Sequence, residues 1–208
     1  MGTAMAVGLT RAAPAPDVLL VDPVPAAAAA AAAASGGRVA ESSELSEVDL
    51  LVVAVKPGDA PEVLAASAAV VPGAAAIASV VAGLTLAQLS ELTAGRAVVR
   101  LMPNLAVRHG AGLVALAAAP EHDAAARSVA EALAPCATVV RLPESLFPAA
   151  TALAGSGPGL LALIAEALEE GGVGSGLPRA SARAMSAAVF AGIAALIADG
   201  EDPARLRQ

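Results

Sequence analysis

The stretch Thr151 to Gly176, TALAGSGPGLLALIAEALEEGGVGSG, admits few conformations besides a helix bounded by glycines. Gly155-Ser156-Gly157 reads as a turn, and Pro158 falls near the first helical position, where its missing N–H costs nothing. An apolar run from Leu160 then carries the helix to Gly171-Gly172, a natural C-terminal stop. A glycine bend of this kind presents free backbone N–H groups at the positive end of a helix dipole, which suits a carboxylate or a phosphate. The same spacing equally describes a capped, buried helix that binds nothing.

A second helix, opened by Pro178 and running to about Ala198, follows. After Arg183 it is apolar on nearly every face, with Met185, Val189, Phe190, Ile193, Leu196 and Ile197. A helix apolar all round must be covered, and one short chain cannot surround it, so the pattern predicts a partner subunit or a helix left partly bare by truncation.

Ahead of this helical region the periodicity alternates. Met1 to Met5 reads as helix, Asp17 to Asp22 (DVLLVD) as a short buried strand, Ala26 to Ala34 as a nine-alanine helix, and Arg38 to Ala40 as a stub of strand. Val48 to Val55 (VDLLVVAV) is the clearest strand, stopped by Lys56-Pro57. Helix Asp59 to Val70, strand Ala75 to Val81, a helix with Thr85 as N-cap, and strand Ala97 to Leu101 leading into Met102-Pro103-Asn104 continue the alternation. Strands Gly110 to Ala117 and Thr138 to Leu142, flanking helix Glu121 to Leu133, complete it. Alternation of this kind predicts an α/β fold with a doubly wound, largely parallel sheet. From Ser145 only helical patterns occur, beginning with Glu144 to Leu153. The boundary is therefore placed near Pro143, giving a dinucleotide-binding-type domain at 1–143 and an all-α domain at 144–208.

Several residues stand out within this frame. Asp22 lies twenty residues after Gly2, the spacing at which a carboxylate reaches an adenosine ribose in dinucleotide-binding folds; it equally suits a cap for the next helix. Lys56 is the only lysine and sits at the carboxyl edge of a strand, where open α/β sheets bind ligands; the alternative is a solvated lysine beside a turn proline. His109 and His122 share no metal-ligand pattern with any Cys or carboxylate, so no metal site is expected. One cysteine, Cys136, excludes an intrachain disulfide and fits a reducing cytoplasm.

Composition narrows the class. Hydrophobic residues make up 57%, about half of them alanine, with two Phe and neither Trp nor Tyr, so cores are filled by Ala, Val and Leu. The apolar runs Leu160 to Ala165 and Ala184 to Ala198 fall short of the roughly 18 to 20 residues a spanning helix needs, so no membrane is expected. A net charge of −7 opposes nucleic-acid binding, which requires clustered Lys and Arg.

Three stretches, in order, carry a family resemblance: VAVKP (Val53 to Pro57), VRLMPN (Val99 to Asn104) and AGSGPGLLALIAEALEEGGVGSGLPR. They resemble pyrroline-5-carboxylate reductase, the last enzyme of proline biosynthesis, over nearly the whole chain. The resemblance implies a Rossmann-like domain followed by a helical dimerisation domain, hydride transfer from NADPH or NADH to 1-pyrroline-5-carboxylate, and a homodimer or higher homo-oligomer. By that resemblance Gly2, Asp22, Ala54, Val55, Lys56, Pro57, Met102, Pro103 and Asn104 lie on the cofactor side. Gly155, Ser156 and Gly157 lie on the substrate side. The family's first strand and first two glycines would precede Met1, and its Ser-Pro-Gly-Gly-Thr-Thr loop would follow the last helix. This sequence departs from the family where Leu105-Ala106 replaces Thr-Pro, Ala154 replaces a Ser, and Pro23 stands where an Arg often meets a ribose 2′-phosphate.

No catalytic triad, carboxylate pair or metal cluster is present, and no catalytic residue is assigned. Imine reduction tolerates that absence, because it requires a hydride donor and an already protonated nitrogen held in register. Two other readings compete: a non-catalytic truncated fragment that keeps only its fold and self-association, and a β-hydroxyacid-dehydrogenase-like reductase. The latter predicts a lysine in the second domain, where none occurs.

Overall fold

A computed structural model describes all 208 residues. They divide into two compact units, Met1–Gly155 and Ser156–Gln208. The division falls beyond Pro143 because the segment after it packs onto the sheet: Phe147 is buried against Ala115 and Ala117, with Ala150 and Leu142 alongside.

The first unit begins with helix α1 (Gly2–Leu9) and continues through strand β1 (Leu19–Leu20), helix α2 (Pro25–Ser35) and strand β2 (Arg38–Val39). A 3-10 turn, Ser42–Glu47, leads to β3 (Leu50–Val53), α3 (Ala60–Val70), β4 (Ala76–Ser79), α4 (Leu86–Leu92) and β5 (Val98–Pro103). Then come a 3-10 turn at Leu105–His109, β6 (Gly112–Ala118), α5 (Asp123–Leu133) and β7 (Ala137–Arg141). Strands β1 and β3 are shorter than their apolar runs, because β1 pairs only with β2 and β3 only with β4. The strands accordingly form two sheets, β1-β2 and β3-β4-β5-β6-β7.

The larger sheet is parallel except between β5 and β6. Only the short turn Leu105–His109 joins those two, and a parallel partner would need a crossover of a dozen residues or more. Alternation of strands and helices gave no hint of that reversal. The core has two faces. One gathers Met5, Val99, Leu101, Val107, Leu116, Val129 and Leu133. The other gathers Val53, Leu64, Ile77, Leu89 and Val98 under α3 and α4. Thr85 caps α4 as expected, accepting from the Gln88 N–H at 3.2 Å while the Gln88 side chain accepts from the Thr85 N–H. Arg96 closes the other end of α3, donating to the carbonyls of Ala68, Val71 and Pro72, which satisfies acceptors that the helix leaves open.

The second unit is a hairpin of α7 (Gly157–Gly174) and α8 (Arg179–Ala198), with a last turn, α9, at Pro203–Leu206; α6 (Phe147–Ala150) closes the first unit. Ser186 Oγ donates to the Ala165 carbonyl at 3.3 Å, and Arg179 pairs with Glu170 at 2.8 Å. The Arg179 hydrogen bond holds the Glu170 carboxyl below the usual carboxylate range. Helical structure runs without a break over Glu144–Gly174, 31 residues, and α8 adds 20. By length and composition alone both are long and apolar enough to cross a membrane. The first is longer than its apolar run because the glycines at 155 and 157 do not interrupt the helix.

Candidate functional site at the carboxyl end of the sheet

The parallel strands β3, β4 and β5 deliver their C-terminal ends to one edge, and most of the residues singled out in the sequence gather there. At β3 the chain passes from buried Val53 to half-buried Ala54 and Val55, then to exposed Lys56 and Pro57. The Lys56 carbonyl accepts from the Asp59 N–H at 3.1 Å, closing the turn that starts α3. The Lys56 ammonium takes part in none of the chain's ion pairs. A Cβ placed on Gly2 would lie 3.3 Å from the Ala54 Cβ, so the start of α1 rests directly on the residue leaving β3. No side chain caps α1, and its first amides are the uncompensated donors of a helix N-terminus.

Met102 and Pro103 extend β5 beyond the expected end at Leu101 and pair with Ala115 and Val114. Asn104 serves the loop itself: its Oδ1 accepts from the N–H groups of Ala106 and Leu113, both at 3.2 Å. That double acceptance compensates for the absence of Thr-Pro after it and fixes the turn between antiparallel β5 and β6. Asp22 follows β1, is exposed, and accepts from the Val24 N–H at 2.8 Å through Oδ1. This bond shapes the turn ahead of Val24, the N-cap residue of α2, and no side chain caps that helix, so the capping role expected for Asp22 is not found.

The Gly155-Ser156-Gly157 turn does not exist. Thr151–Ser156 is a π-helical stretch that passes directly into α7. In a π-helix each amide donates to a carbonyl five residues back, so these N–H groups are spent inside the helix. The anion seat built on their free amides is withdrawn. Gly155 nevertheless meets the other candidates, since a Cβ there would lie 3.1 Å from Met102 Cε and 3.7 Å from Thr151 Cγ2. Ser156 is exposed, and its hydroxyl forms no hydrogen bond within the chain. Single-turn π segments concentrate at functional sites.

The sequence reading missed a polar centre beneath this edge. Arg100 donates to Glu144 Oε1 at 2.6 Å, lies 4.7 Å above the Phe147 ring, and is only 17% exposed against 29% for Glu144. The same Glu144 oxygen accepts from the Leu86 N–H at 2.7 Å. Thr85, Arg100, Glu144, Phe147 and Thr151 line a groove of about 610 Å³. An arginine inside the apolar strand Val98-Val99-Arg100-Leu101 was the available signal, because a charge at that position needs a buried partner. Glu144 joins α4, β5 and the start of the segment that carries Gly155. Glu144→Ala is therefore expected to lower stability by about 2 kcal/mol, read from the urea midpoint by circular dichroism. Glu144→Gln, which can still accept from Leu86, should lose roughly half as much. Cys136 offers no competing nucleophile, because burial pushes its thiol above the ordinary range.

Residues 144–208 match the family described as pyrroline-5-carboxylate reductase dimerisation. The chain is 38% identical over 175 residues to a Synechocystis pyrroline-5-carboxylate reductase, covering 80% of this chain and 62% of that protein. It is 37% identical over 210 residues to the Mycobacterium tuberculosis (H37Rv) enzyme of that name, covering 95% of this chain and 70% of the relative. Its fold is similar to that of a pyrroline-5-carboxylate reductase from Coxiella burnetii, with a TM-score of 0.85, 23% identity, and coverage of 100% of this chain and 80% of that one. A Plasmodium falciparum pyrroline carboxylate reductase solved with NADP bound gives 0.81, 23% identity, and 99% and 78% coverage. The chain thus spans 62% to 70% of the length of these two sequence relatives.

Proposed function

This chain belongs to the pyrroline-5-carboxylate reductase family, and we propose that it reduces 1-pyrroline-5-carboxylate to proline with NADPH or NADH. One observation carries the proposal. Gly155, from the stretch read as the substrate side, bears on Met102, from the stretch read as the cofactor side. Residues separated by 53 positions are thereby assembled at the carboxyl end of β5, where open α/β sheets bind ligands.

The dinucleotide fits this edge. Glycine at position 2 lets the start of α1 close on Ala54, which leaves its amides and Lys56 for a pyrophosphate. Ala54, Val55 and Pro57 border the same strand end, with Met102, Pro103 and Asn104 on the next loop. When bound, the reduced nicotinamide supplies a hydride to the imine carbon. The protein's share is to hold and orient. Asn104 keeps the β5 loop rigid, Glu144 and Arg100 brace the segment carrying Gly155, and the Ser156 hydroxyl, unlike the amides spent within the helix, is free to donate to the substrate carboxylate. No side chain is required to transfer a proton to carbon or to form a covalent bond. The region from 144 onward would serve subunit pairing. A homo-oligomer in the cytoplasm, with neither nucleic acid nor membrane as partner, completes the proposal.

Purified protein is expected to oxidise reduced dinucleotide only when 1-pyrroline-5-carboxylate is added, with proline as product. Ser156→Ala should raise KM for that substrate about tenfold or more, the worth of a hydrogen bond to a charged group, and leave dinucleotide Kd unchanged. Dinucleotide binding without turnover would leave the non-catalytic reading standing.

A further inference from the structure

We propose that this chain selects NADH over NADPH, and that the selecting residues are Asp22 and Glu41. The inference rests on the dinucleotide site just proposed and deepens it. Strand β1 pairs in parallel with β2 in the register Leu19↔Arg38 and Leu20↔Val39, and the Ala40 N–H donates to the Leu20 carbonyl at 3.1 Å. Continuing that register brings Asp22 level with Glu41 at the carboxyl edge of the small sheet. Both carboxylates are exposed, and neither is in an ion pair. A carboxylate at the end of this strand accepts hydrogen bonds from an adenosine ribose diol; a phosphate on the 2′ oxygen replaces that donor with two negative charges.

What would be needed to admit the phosphate is absent from this edge. Pro23, the next residue, has neither charge nor N–H. Arg38, the cation of β2, lies at the level of Leu19 and is engaged by Glu44 at 2.6 Å and Asp17 at 3.8 Å. Its hydrogen bond to Arg38 helps hold the Glu44 carboxyl below the ordinary carboxylate range, after the Glu41 backbone contact. Ser42 and Ser43 bring hydroxyls but no charge. A 2′-phosphate would thus meet the Asp22 carboxylate and a Glu41 carboxylate engaged only by the Glu44 N–H, with Arg38, the one cation of the small sheet, already paired. A 2′-hydroxyl would meet an acceptor, since one Asp22 oxygen is committed to the Val24 N–H and the other is open.

Titration of the purified chain with NADH and with NADPH, followed by the fluorescence of the reduced nicotinamide, tests this directly. NADH is expected to bind about tenfold or more tightly than NADPH at low ionic strength, with the gap narrowing as salt screens the carboxylates. Asp22→Asn keeps the acceptor toward Val24, so the fold is retained. It should weaken NADH binding and strengthen NADPH binding, a change of opposite signs that a merely structural role would not produce. Adding Glu41→Gln should bring the two affinities within about threefold. Equal or tighter NADPH binding by the parent chain, or a ratio unmoved by both substitutions, would overturn the inference while leaving the reductase reading intact. Binding of neither dinucleotide would overturn both.

Discussion

Gly112→Ala is expected to destabilise the first unit by about 3 kcal/mol, near the upper end of what overpacking costs. A Cβ at position 112 would fall 2.7 Å from Val107 Cα and 2.9 Å from its N, and closer still to Val107 Cγ1. Val107 is fully buried in the larger core cluster, so the contact cannot be relieved by swinging an exposed side chain aside. Gly8 makes the same demand from the opposite side: a Cβ there would lie 2.5 Å from the Val107 carbonyl oxygen and 2.9 Å from Cys136 Cβ. The Leu105–His109 turn is therefore clamped between α1 and β6 by two positions at which any side chain is too large. With neither Trp nor Tyr in the chain, urea unfolding is best followed by circular dichroism. An unchanged slope and a lower midpoint would locate the loss in the native state. Against a total stability of roughly 5–15 kcal/mol, the loss is large. A Gly112→Ala variant within about 0.5 kcal/mol of the parent would show that the turn can retreat, and that the clamp is not rigid.

Val189→Asp combined with Ile193→Asp is expected to dissociate the proposed homo-oligomer to single chains. On α8, Met185, Val189, Ile193 and Leu196 recur at helical spacing and are 40% to 56% exposed. Leu160, Ile164 and Leu168 form a similar stripe on α7. A solvent-facing apolar surface of this size is unusual for a monomer, and residues 144–208 match a dimerisation region. Each buried, unpartnered aspartate costs about 3 kcal/mol or more, so the pair contributed by each chain should weaken association by roughly 10⁴-fold. The α7–α8 hairpin itself is held on another face, by Ser186, Ala182 and Gly172, so the helical signal should persist. Sedimentation equilibrium should report the mass of one chain. A variant still dimeric at micromolar concentration would mean that these two stripes face something other than a second copy.

Much of the first unit was legible because its signals are local. Thr85 and Gln88 announce a helix start through a reciprocal pair of hydrogen bonds three residues apart, and the apolar run ending at Lys56-Pro57 declares a strand that ends at the carboxyl edge of the sheet. Family motifs at Val53 to Pro57, Val99 to Asn104 and Ala154 onward identified the family. The failures share one cause. Gly155 and Gly157 look like breakers to any local rule, yet the helix begun at Phe147 carries through them by widening to a π turn. Packing of Phe147 and Ala150 on the sheet decides that path, and no window of sequence contains it.

Sequence by itself determined the α/β alternation, the helical C-terminal region, the residues that line the carboxyl edge and the family to which they belong, because each depends on neighbours within a few positions or on an ordered set of motifs. Only the tertiary structure decided the antiparallel reversal at β5 and β6, the split into two sheets, the partnership of Arg100 with Glu144, and the loss of the free amides at Gly155 to Gly157. The sheet split and the Arg100–Glu144 pair are settled by contacts between residues far apart in the chain, while the reversal and the spent amides follow from a short connection and a π turn; in each case hydrogen-bond satisfaction and close packing override local preference.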